Sequence, residues 1–348
     1  MDKRAIVANR LRRQGLSRPA RDEKEYLELV RRLQPIAPVA NTMPGDPPKL
    51  LHRTTFDSGV LADELRGRRA LVKGRFLGGN IGYVLAEDLA LYGTVFRKRI
   101  ERLNATQEQV LEALRYMGEL SPRQLREETG LKNKEIMPAL HRLQQAFVVF
   151  EDQEDSSWAR PWSLMERAWP EIDLEEAVWE EAAGEVVQRF LHGFVFATLA
   201  QLKDGLRLTS RALKKMLEQE EHRGALIRLE VAGLGEGWMR VQDRELEEAE
   251  IEPAVFMLHR ADPLVKAHLS ELKERFGQCE VLQYLLVDGE LRGAVCGHWR
   301  IGPHDVEDIV LDVPAGVRKA RKDEVLAAVS KWYGEPRHRI VRYAGVEL

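Results

Sequence analysis

The chain is predicted to adopt an α+β fold: tandem winged-helix (helix-turn-helix) modules followed by a C-terminal β-rich, barrel-like domain. Three observations predict it. Between Thr106 and Leu164, amphipathic helical segments are followed by two short apolar runs. The same order of elements returns between Asp173 and Asp243, with low residue identity. From about Pro253 the pattern turns strand-like, and Asp288-Gly289 between apolar runs is a type I′ hairpin signal. The expected divisions are 1–104, 105–170, 171–252 and 253–348.

In the first division, Arg4 to Gln14, Asp22 to Leu33 and Gly59 to Leu65 read as helices. Ala70 to Leu77 and Ile81 to Leu85 read as strands around Gly78-Gly79-Asn80, and Ala86 to Leu103 is expected to be helical. Gln34 to Pro48, rich in Pro and Gly, is expected to be a loop, and long loops in compact domains are often functional. The glycines Gly74, Gly78, Gly79 and Gly82 match neither a phosphate loop nor a dinucleotide fingerprint, so they read as a tight hairpin.

The second division opens at Thr106, an N-cap with Gln109 three residues on. Ser121-Pro122 starts the next helix, with Gln124 closing a second capping box and Gly130 ending it. Asn133 to Gln145 places Ile136, Leu140 and Leu143 on one face, leaving Lys132, Asn133, Lys134, His141 and Arg142 for solvent or phosphate. Polar and basic groups at the start of such a helix are what a recognition helix needs. Phe147 to Phe150 and Trp158 to Leu164 read as strands around a polar turn, Glu151 to Ser156, with Trp158 and Trp162 assigned to core packing rather than base stacking. In the third division, helices are expected at Asp173 to Leu191, around Thr198 to Leu202, and after Thr209, the last carrying Arg211, Lys214 and Lys215. Strands follow at Ala225 to Val231 and Trp238 to Val241. The C-terminal strands are expected at Val255 to Leu258, Glu280 to Val287, Leu291 to Arg300 and Val306 to Leu311, with a helix from about Lys319 to Tyr333.

With 348 residues, 44% hydrophobic and 31% charged, the chain has the composition of a globular protein of two or three domains. Two cysteines argue against a disulfide framework. Alternation in Ala294 to Arg300 reads as a strand, so Cys296, His298 and His304 are not expected to bind metal, and no cofactor is expected. No apolar run approaches the length of a membrane span, and Met1 to Leu16 is basic without the apolar stretch of a signal peptide. A cytoplasmic location is expected. Charge is segregated: Met1 to Pro35 carries a net +5, Glu166 to Glu185 a net −7 and Gln242 to Glu252 a net −5, within a chain of net −3. A basic face can therefore coexist with a slightly acidic whole. Winged helices dock proteins as well as DNA, and double-stranded DNA is the expected partner.

The stretch Leu29-Val30-Arg31-Arg32-Leu33-Gln34, then Leu50-Leu51-His52-Arg53, then Leu71-Val72 to Ala86-Glu87-Asp88-Leu89, is similar to the N-terminal half of the AlkZ-like (YcaQ-like) bacterial DNA glycosylases. The likeness continues to Phe256-Met257-Leu258-His259-Arg260-Ala261-Asp262-Pro263-Leu264. The resemblance implies removal of alkylated bases and unhooking of interstrand crosslinks in DNA. The family's catalytic motif, a glutamine, an apolar residue, then glutamine or aspartate, is met here only by Gln34-Pro35-Ile36, which keeps its first member, or Val39-Ala40-Asn41, which keeps a shortened amide at its last. The family's Arg-x-Thr-x-His segment falls on Gly78-Gly79-Asn80-Ile81-Gly82, which lacks those side chains.

Breaking an N-glycosidic bond passes through an oxocarbenium-like state, helped by a placed water and by nearby oxygen dipoles or carboxylates. A cationic N7- or N3-alkylpurine leaves without a general acid, so an amide that orients water suffices. Gln34 and Asn41 are thus the catalytic candidates, since no Asp or Glu lies between Glu28 and Asp46. Arg53, Lys73 and Arg75 join Lys132, Asn133, Lys134, Arg211, Lys214 and Lys215 as expected DNA contacts. The competing expectations are a DNA-binding regulator or lesion-recognition factor without catalysis on the same scaffold, and a module that binds only protein.

Overall fold

The computed structural model describes residues 2–38, 49–152, 160–174, 178–298 and 305–348. Its N-terminal part has helices at Lys3–Arg13, Glu23–Leu33 and Ser58–Gly67. Asp22 caps the second of these by accepting from Glu25 N at 2.9 Å. The strands Leu71–Arg75 and Ile81–Leu85 pair antiparallel, Lys73 opposite Tyr83, and Tyr83 also bridges to Ile36 through two backbone hydrogen bonds. The segment after Gln34 is thereby held against this hairpin. The helix expected over Ala86 to Leu103 stops at Phe96, as Leu89–Phe96. Beyond it the backbone is engaged by another element: Lys98 N donates to Gln145 O, and Arg142 donates to the carbonyls of Lys98 and Arg99.

The first helix-and-hairpin unit comprises helices Ala105–Met117, Pro122–Thr129 and Asn133–Gln145, then strands Val149–Glu151 and Trp162–Leu164. The first helix starts earlier than the Thr106 cap predicts, because Asn104 and Gln107 complete a reciprocal capping box, and Asn is the stronger cap. The Ser121–Gln124 box forms, and Gly130 ends its helix at φ 70°. Phe147, expected in a strand, has φ 57° and precedes it. Glu151, expected in a polar turn, is a buried strand residue bound by Lys73 and Arg160.

The second unit has helices Trp179–Phe194, Leu199–Leu206 and Ser210–His222, the last two capped by Thr198 and Thr209. Its first helix begins later than the expected Asp173. Strands Leu226–Val231 and Gly235–Arg240 form the hairpin, joined by a short strand, Phe196–Ala197, which periodicity did not reveal. Gly237 is required there: a Cβ would lie 2.5 Å from the Phe196 ring and 2.6 Å from Ala197 O.

One core runs from Val72, Phe76 and Tyr92 through Phe147 and Trp169 to Val187, Leu202 and Leu213. The first division and the second unit therefore share an interior. The first unit also has a core of its own, built on Val110, Leu114, Ile136, Leu140 and Trp162.

The C-terminal part is a six-stranded sheet in the order Val346–Glu347, Arg342–Tyr343, Val306–Leu311, Glu290–Gly297, Val281–Val287, Val255–Leu258. Among the described residues the end strands do not pair with each other, so the sheet is open and the barrel-like expectation is corrected. Asp288 and Gly289 have φ 49° and 85°, as a type I′ turn requires. Helices Pro263–Ala267 and Leu269–Phe276 cover part of the sheet's apolar surface, and the expected Lys319 to Tyr333 helix is two, Ala315–Ala320 and Lys322–Ser330. Cys279 and Cys296 form a disulfide, although so low a cysteine count argues against a disulfide framework. Strand register brings them together, since Cys296 lies opposite Val281. Among the described residues no helix is long and apolar enough to cross a membrane.

Candidate catalytic centre and nucleic-acid interface

Gln34 follows the last turn of Glu23–Leu33 and is buried. Its Oε1 accepts from Leu85 N at 2.9 Å, and its Nε2 donates to Asp88 Oδ2 at 2.5 Å. The other Asp88 oxygen accepts from Arg189 Nη1 at 2.6 Å, and Arg189 also binds Glu185. Burial lowers the affinity of Arg189 for its proton, but the hydrogen bonds to Glu185 and Asp88 outweigh it, so this guanidinium stays charged. Tyr92 closes the cluster. Burial pushes its phenol up, and hydrogen bonds with Gln34 and Arg189 oppose that rise only partly. Strand Ile81–Leu85, the turn Ala86–Asp88 and helix Trp179–Phe194 thus converge on one buried polar centre.

This geometry corrects the simplest reading of Gln34. Both ends of its amide are committed to protein groups, so in this arrangement it positions Asp88 rather than a water. Asp88 is a carboxylate that local spacing does not signal, since it lies outside the loop from Glu28 to Asp46 and 54 residues from Gln34 in sequence. Asn41, Trp158 and His304 lie outside the described residues. Cys296 is taken by its disulfide and is not available to a metal.

Two adjoining cavities of about 410 and 400 Å³ lie against the N-terminal helices and Trp179–Phe194. Both are lined by Glu28, Arg32 and His192, and the second reaches Arg189 at the edge of the polar centre.

The expected DNA contacts divide into two groups. Arg53 has 0% side-chain exposure and makes a bidentate pair with Asp262, at 2.6 and 2.9 Å. A guanidinium this deep needs a fixed counter-charge, so Arg53 ties the N-terminal part to the C-terminal part and is not a phosphate contact. Lys73 is nearly as enclosed, bound to Glu151 at 2.6 Å. Arg75 donates to Gln144 Oε1 at 2.9 Å and Gly79 O at 3.1 Å, locking the hairpin to helix Asn133–Gln145. These two strand cations likewise face protein. Lys132, Asn133 and Lys134 are exposed, as are Arg211, Lys214 and Lys215, of which Lys215 pairs with Glu180 at 3.1 Å. Trp162 is buried in the first unit's core. In the segment matched to Arg-x-Thr-x-His, the Asn80 amide donates to its own turn at Leu77 O.

The family model described as DNA glycosylase AlkZ-like matches residues 49–333. The chain belongs to the AlkZ-like DNA glycosylase family. A solved structure, Streptomyces sahachiroi DNA glycosylase AlkZ, superposes with a TM-score of 0.68 at 13% identity, covering 99% of both chains. A search of curated protein sequences finds no match. Membership gives this AlkZ-like chain a DNA-glycosylase-related role in DNA repair. The matched range begins after Gln34 and Asn41 and includes Asp88. Family likeness thus continues through the carboxylate side of the polar centre, while the amide side lies in the segment where the motif departs from the family pattern. The sequence signal for Asp88 is its place in the family-like segment Ala86-Glu87-Asp88-Leu89.

Proposed function

We propose that this AlkZ-like protein binds double-stranded DNA through two winged helices and hydrolyses the N-glycosidic bond of alkylated or crosslinked purines in the cytoplasm. The order of three helices and a hairpin in each unit supports the winged-helix reading. The observation that carries the catalytic reading is the Asp88 carboxylate, held by Gln34 and Arg189 beside a cavity lined by arginines.

In the reaction the C1′–N bond breaks and its electron pair returns to the base nitrogen, neutralising the alkylpurine cation. A water oxygen bonds to C1′ and its proton leaves to solvent. Asp88 would stabilise the positive charge that develops on the sugar. Gln34 is a positioning residue for it, and Asn41 is retained as the candidate that orients water.

The committed amide of Gln34 favours one competing reading, a lesion-recognition protein without chemistry. The two separate on a duplex carrying N7-alkylguanine, scored for base release and for strand breaks at abasic sites. Asp88→Asn is expected to cut base release by about 10²-fold or more with little change in affinity, and Gln34→Ala by less. A wild-type protein that binds the duplex tightly and releases no base at any pH leaves only the non-catalytic reading.

A further inference from the structure

The arginines of the basic segment Met1 to Pro35 end up next to the polar centre rather than in it. Arg13 closes helix Lys3–Arg13, Arg32 lies in the last turn of Glu23–Leu33, and Arg240 ends the hairpin strand Gly235–Arg240. Arg13 Nη2 and Arg240 Nε each reach Asp243, both at 2.8 Å. Arg13 also donates to His192 O at 3.1 Å, and Arg32 Nη1 donates to Arg13 O at 2.7 Å. Two guanidiniums therefore hold one buried carboxylate, and a third, that of Arg32, is tied to the backbone of Arg13.

Arg32 has a carbonyl but no carboxylate as its hydrogen-bond acceptor, and its Nε has no partner among the described residues. Glu28, exposed on the same helix, lines the cavity wall with Arg32 and makes no ion pair among the described residues. Neighbouring Arg12 is balanced by Glu247. Burial, then Arg240, Arg32 and Arg13, push His192 down to about 4, so at neutral pH it adds no charge to the cluster. Burial first, then Arg13, lower the pKa of Arg32, with Glu28 opposing them in part and Arg240 and Arg12 adding to the fall.

We propose that Arg13, Arg32 and Arg240 form a phosphate subsite that seats one backbone phosphodiester of duplex DNA beside the polar centre. This rests on the DNA-binding reading above and adds the place of contact. A planar guanidinium offers paired donors that fit two non-bridging phosphate oxygens. The surplus positive charge matches a diester monoanion. The adjoining cavity runs from Arg32 and Arg240 to Arg189, the cation that holds Asp88.

The test is the salt dependence of duplex affinity, by fluorescence anisotropy, for the full chain and for Arg32→Gln, Arg32→Lys and the exposed Glu28→Gln. Each phosphate contact contributes about 0.9 to the log–log salt slope. Arg32→Gln is expected to lose about that much and bind several-fold more weakly, Arg32→Lys to keep the slope, and Glu28→Gln to bind several-fold more tightly. A folded Arg32→Gln with the wild-type slope overturns the subsite while the DNA reading stands. Should Arg32→Gln fail to fold, an unchanged Glu28→Gln affinity overturns it instead. A wild-type chain without duplex affinity overturns the DNA reading and the assigned ligand together. A final arm titrates inorganic phosphate at constant ionic strength. Thermal stabilisation of the wild type but not of Arg32→Gln, with equal duplex slopes, would assign the site to a free anion and reject the phosphodiester.

Discussion

The two helix-and-hairpin units share an order of elements but differ in their surroundings. The first, Ala105–Met117 to Trp162–Leu164, keeps a core of its own and leaves the start of helix Asn133–Gln145 exposed, with Lys132 and Lys134 making no ion pair among the described residues. The second shares its interior with the N-terminal part, and the first joins that shared core through Phe147 and Phe150 beside its hairpin. Its hairpin tip is occupied: Leu234 packs on the cluster of Ile6, Val195 and Phe196, and a Cβ on Gly233 would sit 3.3 Å from Lys3. Its acidic first helix also holds Lys215 through Glu180. Repetition of a fold thus does not repeat its surroundings. Both units present a basic helix outward, and the second in addition supplies Arg189, His192 and Arg240 to the groove.

The largest expected effect tests the difference in cores. Leu140 and Leu202 are both completely buried, and replacing either by Ala costs about 2–5 kcal/mol. For Leu202→Ala, hydrogen exchange is expected to accelerate in the second unit and also in the hairpin Leu71–Arg75 to Ile81–Leu85. For Leu140→Ala, it is expected to accelerate mainly within residues 105–164. Equal spread from both sites would mean that the two units are not energetically distinct.

Next in size is the difference in charge. Lys132→Ala combined with Lys134→Ala is expected to lower the salt slope of duplex binding by about two, one per lost phosphate contact. Arg211→Ala combined with Lys214→Ala is expected to lower it by about one or less, because acidic side chains border that helix. A larger loss from the second pair would reverse the roles assigned to the two units.

The smallest effect is pH-dependent. His192 in the second unit is held near 4, first by burial, whereas the unfolded chain takes up a proton near 6.5. Between those values the unfolded state binds more protons, so stability falls as pH drops from about 6.5 to 4. His141 in the first unit is lowered too, again first by burial. His192→Gln is expected to flatten the melting temperature's dependence on acid pH more than His141→Gln does. The opposite order would place the stronger electrostatic constraint in the first unit.

Local signals were legible in the sequence wherever neighbours along the chain decide the structure. Helix Asn133–Gln145 and strands Ile81–Leu85, Val255–Leu258 and Val306–Leu311 appear as read, because apolar period and β-branched content act over a few residues. The Ser121 capping box and the Asp288-Gly289 turn hold for the same reason. The two-residue strand Phe196–Ala197 is too short to carry a period.

Side-chain partners were another matter. Arg53 lies 209 residues from Asp262, Gln34 is 54 from Asp88, and Arg189 is 101 from Asp88. A cation on an alternating strand reads as a phosphate ligand until the fold shows a carboxylate opposite it, as Glu151 faces Lys73. By itself the sequence determined the α+β class, the order of the helices and hairpins, the segregation of charge and the family likeness, since each is written in residue type and spacing. Tertiary structure alone decided which cations are neutralised, which hairpin is docked, that Gln34 meets Asp88, and that the basic N-terminal helices line the groove. Those outcomes depend on which surfaces exclude water together, and spacing along the chain does not encode that.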